Sequence, residues 1–243
     1  MTISARNQQL VDEQSIERFD QDYISDNSLD RLLKVILAVN PKIDEIADFG
    51  GGNGRLLDRL LQRLPHAHGT NYEISKHLRS LNAHSERKTV SAESFLVIDD
   101  HAKFDLILIN WVLHHLVGNS LSITLQLIRS ATEVAARTLK PGGLIVVSEN
   151  LIQSTFSERF ASAALFKVTG SRLLKPVISR MRDGAAIAGV GIYYMSEPQL
   201  HSMFPEFKHV ATLDQGQHDY GWKLKLIGVT RVKERVLVFQ KDG

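Results

Sequence analysis

One stretch limits what this chain can fold into more than any other: Glu45-Ile46-Ala47-Asp48-Phe49-Gly50-Gly51-Gly52-Asn53-Gly54. A short apolar run meets an acidic residue and then a cluster of glycines. Leu56, Leu57, Leu60, Leu61 and Leu64 follow on one helical face, and Pro65 closes them. Strand, glycine turn and helix in this order make the first unit of a nucleotide-binding α/β fold. Glycine allows the sharp turn and lets a ligand approach the backbone with no Cβ between them. The helix start offers free N–H groups and the positive end of its dipole to an anionic group. Glycine-rich loops also serve purely structural turns, so the ligand reading rests on that helix start.

Spacing narrows the nucleotide. The dinucleotide pattern G-x-G-x-x-G from Gly50 needs glycine at 55, where Arg55 stands. Glycines at 50, 52 and 54 with Asp48 ahead of them give D-x-G-x-G-x-G instead. This resembles motif I of the class I S-adenosylmethionine-dependent methyltransferases. Three later landmarks arrive in the order of that family: Glu73 about twenty residues on, F-D-L-x-L-x-x-x-V-L-H-H-L from Phe104, and Leu139-Lys140-Pro141-Gly142-Gly143 before the β-branched run that follows. The resemblance covers about residues 45–150.

It implies a Rossmann-like α/β fold, a seven-stranded and mostly parallel sheet with helices on both faces. Strands alternating with helical patterns point the same way. The expected layout is one domain: an N-terminal helical cover over 1–40, a cofactor-binding core over 41–150, a helical substrate-covering insert over 151–205 and a C-terminal strand pair over 206–243. In the cover, Leu10, Val11, Ile16, Phe19 and Tyr23 form a loose apolar stripe, and Asp26-Asn27-Ser28 is a capping cluster for a helix that Asn40-Pro41 ends. Helices are expected near 76–84 and 120–139, and strands over 89–95, 104–109 and 144–149. Two further strands, 209–213 and 235–240, flank a loop with His218, Tyr220 and Trp222.

The implied cofactor is S-adenosyl-L-methionine. Asp48, Phe49, Gly50, Gly52 and Gly54 would cradle it, with Asn110 and Trp111 across the rim. Glu73 stands where such folds place a carboxylate to accept both ribose hydroxyls, and Ile74 would pack on the adenine. The family has Gly-Asp and a small residue near the adenine amino group. Here Ala92-Glu93-Ser94 replaces them, so Glu93 and Ser94 are the adenine candidates.

His114 and His115 lie just past the fourth strand, at the sheet end where α/β folds bind ligands. Trp111-Val112-Leu113-His114 resembles the W-x-x-H segment of small-molecule O-methyltransferases, whose histidine is the base, although His115 stands where those enzymes often have aspartate. Histidine titrates near neutrality and can take a proton from a phenol or a carboxylic acid. The alternative is that both histidines orient the cofactor or cap the next helix. Glu149 is the third catalytic candidate: it orients a histidine, lines the acceptor pocket, or is a plain rim carboxylate.

Absences restrict the chemistry further. Asn110-Trp111-Val112-Leu113 is not the N-P-P-Y of exocyclic amino-group methylation, and it offers no carboxylate cluster for a divalent metal, so no metal is expected. The chain has no cysteine, which closes thiolate nucleophiles and disulfides. With 43% hydrophobic residues it can build a proper core, and a net charge of +2 gives no ground for broad capture of nucleic acid. No apolar run is long enough to span a bilayer and no signal-peptide segment opens the chain. The expectation is a cytoplasmic enzyme of specialised metabolism that methylates a hydroxyl or carboxyl of a small molecule, with no nucleic-acid or membrane partner and with a homodimer left open. N- or S-methylation and a silent cofactor-binding module are the alternatives. Arg172, Lys175, Arg180 and Arg182 read as a solvated face or as partners of an acidic acceptor.

Overall fold

The computed structural model describes residues 25–180, 189–218, 222–225 and 227–242. The expectations for Leu10 to Tyr23, Arg182 and Tyr220 lie outside these residues. The described residues form a seven-stranded sheet of β1 (Glu45–Phe49), β2 (His68–Tyr72), β3 (Lys88–Ser91), β4 (Phe104–Asn110), β5 (Leu139–Ser154), β6 (Phe207–His218) and β7 (Val229–Lys241). Their order is β3-β2-β1-β4-β5-β7-β6, with β1 to β5 parallel and β7 antiparallel to both neighbours. This is the Rossmann-like sheet expected.

The inner strands are apolar without alternation because both faces are covered. Successive side chains of a strand point to opposite faces, and each strand divides accordingly. Ala47, Phe49, Ile107, Ile109, Ile145, Val147, Leu237 and Phe239 enter one core. Ile46, Leu106, Leu108, Leu144, Val146, Val236 and Val238 enter the other. Helix α1 (Asp26–Val39) and α2 (Arg55–Arg63) cover the second core through Leu29, Leu32, Leu57 and Leu60. The first is covered by Leu127, Ile128 and Ala131 of a long helix, Leu121–Thr138, whose start Ser120 caps by accepting from the Ile123 N–H.

Several boundaries differ from expectation. The cap of α1 is Ser25, whose hydroxyl accepts from Ser28 N–H, so the Asp26-Asn27-Ser28 run lies inside the helix. The helix expected over 76–84 stops at Ser80. The strand expected to reach Phe95 ends at Ser91: Ser94 caps a 3-10 turn that swings Phe95 inward to stack on Phe49, ring centroids 4.8 Å apart. β5 and β6 run well past their expected ends, because β5 from Leu144 to Ser154 and β6 from Phe207 to His218 pair with the long β7. Residues 151–154, assigned to the insert by sequence, therefore belong to the sheet. The remaining helices are α3 (Lys76–Ser80), α4 (Leu121–Thr138), α5 (Glu158–Gly170), α6 (Lys175–Ile178), α7 (Glu197–His201) and α8 (Trp222–Lys225).

Candidate functional site

β1 delivers the chain to the glycine turn at the C-terminal edge of the sheet. Gly50, Gly52 and Gly54 have φ of 69°, 56° and 72°, the left-handed region that suits glycine. A Cβ on Gly50 would stand 2.7 Å from the Val112 side chain, and one on Gly54 2.0 Å from Asn82 Oδ1. The turn is held from below. Gly52 N–H donates to Glu73 Oε2 at 3.1 Å, and the Gly52 carbonyl accepts from Asn71 Nδ2 at 3.2 Å and Asn82 Nδ2 at 2.9 Å. Asn71 Nδ2 also donates to Asn82 Oδ1 at 2.9 Å. Glu73 Oε1 accepts from Ser75 N–H at 2.7 Å.

Asp48 ends up fully buried, and neither carboxylate oxygen has a hydrogen-bond partner among the described residues. Burial in low dielectric, reinforced by repulsion from Glu73 and opposed by Lys88, pushes its carboxyl up to about 7. Burial likewise raises Glu73, against the N–H groups of Ser75 and Gly52 that favour its charged form. The Lys88 ammonium itself is paired with Asp58 at 2.7 Å. An orphaned buried carboxylate beside a turn of left-handed glycines is a fitting receptor for the cationic, hydrogen-bonding end of a ligand.

The second half of the site comes from β4 and β5. Asn110 ends β4 with a buried Oδ1 that has no partner among the described residues. Trp111 follows at φ 60°, uncommon for a non-glycine residue, and its N–H bonds the Ser148 carbonyl at 2.9 Å. The chain then folds into a 3-10 turn, Leu113–His115. His114 Nδ1 lies 2.6 Å from Glu149 Oε2, with both side chains buried. Glu149 Oε1 accepts from the N–H groups of Leu113 at 2.8 Å and His114 at 3.4 Å, and Oε2 from Asn150 N–H at 3.3 Å. A carboxylate fixed on so many donors places the imidazole proton on Nδ1 and leaves the Nε2 lone pair free to accept. The His115 ring sits 4.0 Å from that of His114, and burial, with repulsion from His114, holds it well below the ordinary histidine range.

The structure thus gathers Asp48, Gly50, Gly52, Gly54 and Glu73 on one side of the rim. Asn110, Trp111, His114, His115 and Glu149 gather on the other, and Val112 packs against Gly50 between them. Phe49 differs from expectation: its side chain is wholly in the core, stacked on Phe95 and edge-on to Tyr72, so only its backbone reaches the rim. Ile74 is partly exposed. Glu93 is exposed in the bend after β3, and Ser94 spends its hydroxyl on Leu96 N–H. His218 ends β6 and Trp222 opens α8.

Sequence reasoning missed Asn71, Asn82 and Tyr194. Asn71 carried a signal, a polar amide inside an otherwise core-forming strand opposite Asp48. Asn82 and Tyr194 carried none. Tyr194 arrives from a segment far along the chain, its ring 5.3 Å from that of His114, and its hydroxyl meets Asn150 Nδ2 at 3.5 Å.

Residues 47–145 match the family model described as a methyltransferase domain. The curated protein O-methyltransferase 12 of Dictyostelium discoideum is 23% identical over 145 residues, 57% of this chain and 36% of that protein, so the chain spans about a third of the relative it matches. Among solved structures, the N-methyltransferase NodS of Bradyrhizobium japonicum, in complex with S-adenosyl-L-homocysteine, is similar at a TM-score of 0.58 and 14% identity, covering 95% of this chain and 98% of that one. The [4+2]-cyclase SpnF is similar at 0.58 and 15%, covering 92% of this chain and 85% of that one. At such identities these structures speak for the fold, and the cyclase among them is a reminder that one fold hosts several chemistries.

Proposed function

We propose that this protein, whose residues 47–145 match a methyltransferase domain, is a class I enzyme that binds S-adenosylmethionine and methylates a hydroxyl oxygen of a small molecule, with His114 as general base. The Gly50 to Gly54 turn and Asp48 would hold the amino-acid end of the cofactor, Glu73 its ribose, Ile74, Glu93 and Ser94 the adenine end, and Asn110 and Trp111 the wall across the rim. When bound, that cofactor supplies a methyl group already activated by its sulfonium. What remains for the protein is alignment, worth on the order of 7–11 kcal/mol, and removal of the acceptor's proton.

One observation carries the choice of acceptor: the 2.6 Å contact between His114 Nδ1 and Glu149. Glu149 fixes the tautomer and the ring plane, and its charge stabilises the imidazolium that forms when Nε2 takes a proton. This arrangement serves an acceptor that still carries its proton at neutral pH. A carboxylic acid, with a pKa of about 4, has already lost it, so of the two oxygen acceptors the hydroxyl is favoured. His115, held neutral and weakly basic, contributes ring surface rather than proton transfer. The segment ending in Tyr193 and Tyr194 supports the reading of 151–205 as the acceptor-side cover, since Tyr193 N–H reaches the His114 carbonyl at 3.4 Å.

Two measurements test this. Calorimetry should find S-adenosylhomocysteine bound; binding of NADH in its place would overturn the cofactor reading. Labelled S-adenosylmethionine against phenolic and alcoholic acceptors should show turnover that falls roughly 10²–10⁴-fold in His114→Ala and markedly in Glu149→Gln, with S-adenosylhomocysteine affinity kept within a few-fold. Turnover retained in His114→Ala removes His114 from the mechanism.

A further inference from the structure

The described large apolar side chains that are more than half exposed all fall in one short segment: Phe156 at 92%, Phe160 at 67%, Leu173 at 92% and Val177 at 57%. Phe156 lies in the bend two residues ahead of α5, and Phe160 in its first turn. Leu173 and Val177 lie one turn apart where the chain enters α6, which packs against α5. α5 buries Ala161, Ser162, Leu165 and Thr169 and turns Arg159, Phe160 and Lys167 outward.

Charge follows the same segment. Of the chain's 29 basic and 27 acidic residues, positions 155–180 hold five basic ones (Arg159, Lys167, Arg172, Lys175 and Arg180) and a single acidic one, Glu158. The segment is therefore +4 and the rest of the chain −2. The five basic residues are exposed, interleaved with the exposed apolar ones.

We propose that this face of the insert docks on an anionic lipid surface. Phenylalanine and leucine side chains at 92% exposure touch almost nothing of their own fold. A fluid acyl layer needs no complementary shape, and basic residues beside apolar ones are the pattern of interfacial binding. The face is also well placed. The other side of α5 holds, through the Thr169 hydroxyl accepting from Ile192 N–H at 3.0 Å, the segment that brings Tyr193 and Tyr194 to His114. Docking would set the acceptor rim beside the lipid interface. Among the described residues no helix is long and apolar enough to cross a membrane.

The inference does not depend on the proposed reaction, and neither does its test. The full chain is sedimented with vesicles of phosphatidylcholine alone and of phosphatidylcholine with phosphatidylglycerol. It should partition onto the anionic vesicles, and added salt should release it. Arg172→Ser, Lys175→Ser and Arg180→Ser should each weaken partition by about fivefold. The double variant Phe156→Asp with Leu173→Asp should abolish it without changing the melting temperature. No partition onto anionic vesicles, or partition indifferent to all these variants, overturns the proposal. So does a fall in melting temperature or the loss of a dimer in the double variant, which would mean that the chain itself or a second copy covers the face.

Discussion

At Asp48 the chain gives up stability for a site. A carboxyl of pKa 3.8 in the unfolded chain rises to about 7 in the buried position. Between those values the native state holds a proton that the unfolded state has lost. Stability from this group is thus fully present below pH 3.8 and is lost as pH rises through about 7, a total of roughly 4 kcal/mol. Urea titrations across that window should show the native protein losing stability relative to Asp48→Asn as pH rises, the difference between the two growing by up to that amount. A steeper loss in Asp48→Asn than in the native protein would contradict the assignment. If Asp48 receives the cofactor's cationic end, S-adenosylhomocysteine binding near pH 7 should release a proton, read by calorimetry in buffers of different ionisation enthalpy. Asp48 was legible in the sequence because strand, acid and glycines are adjacent. The His114–Glu149 pair was legible only as two rim candidates. Thirty-five positions part them, and their meeting depends on the register that sets Asn110 opposite Ser148.

At the scale of elements, the glycine turn works because its neighbours lock it. Gly52 is held at both ends of its peptide unit, by Glu73 on the N–H and by Asn71 and Asn82 on the carbonyl. Removing Asn82 leaves one amide on that carbonyl and opens space under Gly54. Asn82→Ala should cost about 1–3 kcal/mol of stability and weaken S-adenosylhomocysteine binding more than it slows saturated turnover. Equal affinity in the variant and the native protein would show the clamp to be incidental. The elements themselves were mostly legible, since β1, β4 and the helix after Gly54 have unambiguous apolar periods. What escaped was the ends of β5 and β6. Asn150 and Gln153 interrupt the apolar run of β5 and look like the start of a loop. In the fold they still pair, Asn150 with Glu234 and Gln153 with Arg231. A partner strand some eighty residues away decides that boundary, and nothing local announces it.

For the whole molecule, the consequential strand is the last one. β7 lies between β5 and β6, pairing from Leu144 opposite Gln240 to Ser154 opposite Val229 on one side. It sends Leu237 and Phe239 into one core and Val236 and Val238 into the other. Composition gave no hint of this, just as the net charge of +2 concealed a +4 stretch over positions 155–180 on a −2 remainder. Fully burying each of these side chains is worth about 1.5–3 kcal/mol, so together they amount to about as much as the 5–15 kcal/mol that typically holds a domain folded. The resemblance ends near residue 150, yet a chain ending at residue 205 should not fold. It would expose one edge of β5 and open both cores at once. It should bind a hydrophobic dye, lack a cooperative thermal transition and fail to bind S-adenosylhomocysteine. A sharp melting transition in that truncated chain would mean that the first five strands fold alone and that the C-terminal pair is an addition to the domain rather than a wall of it.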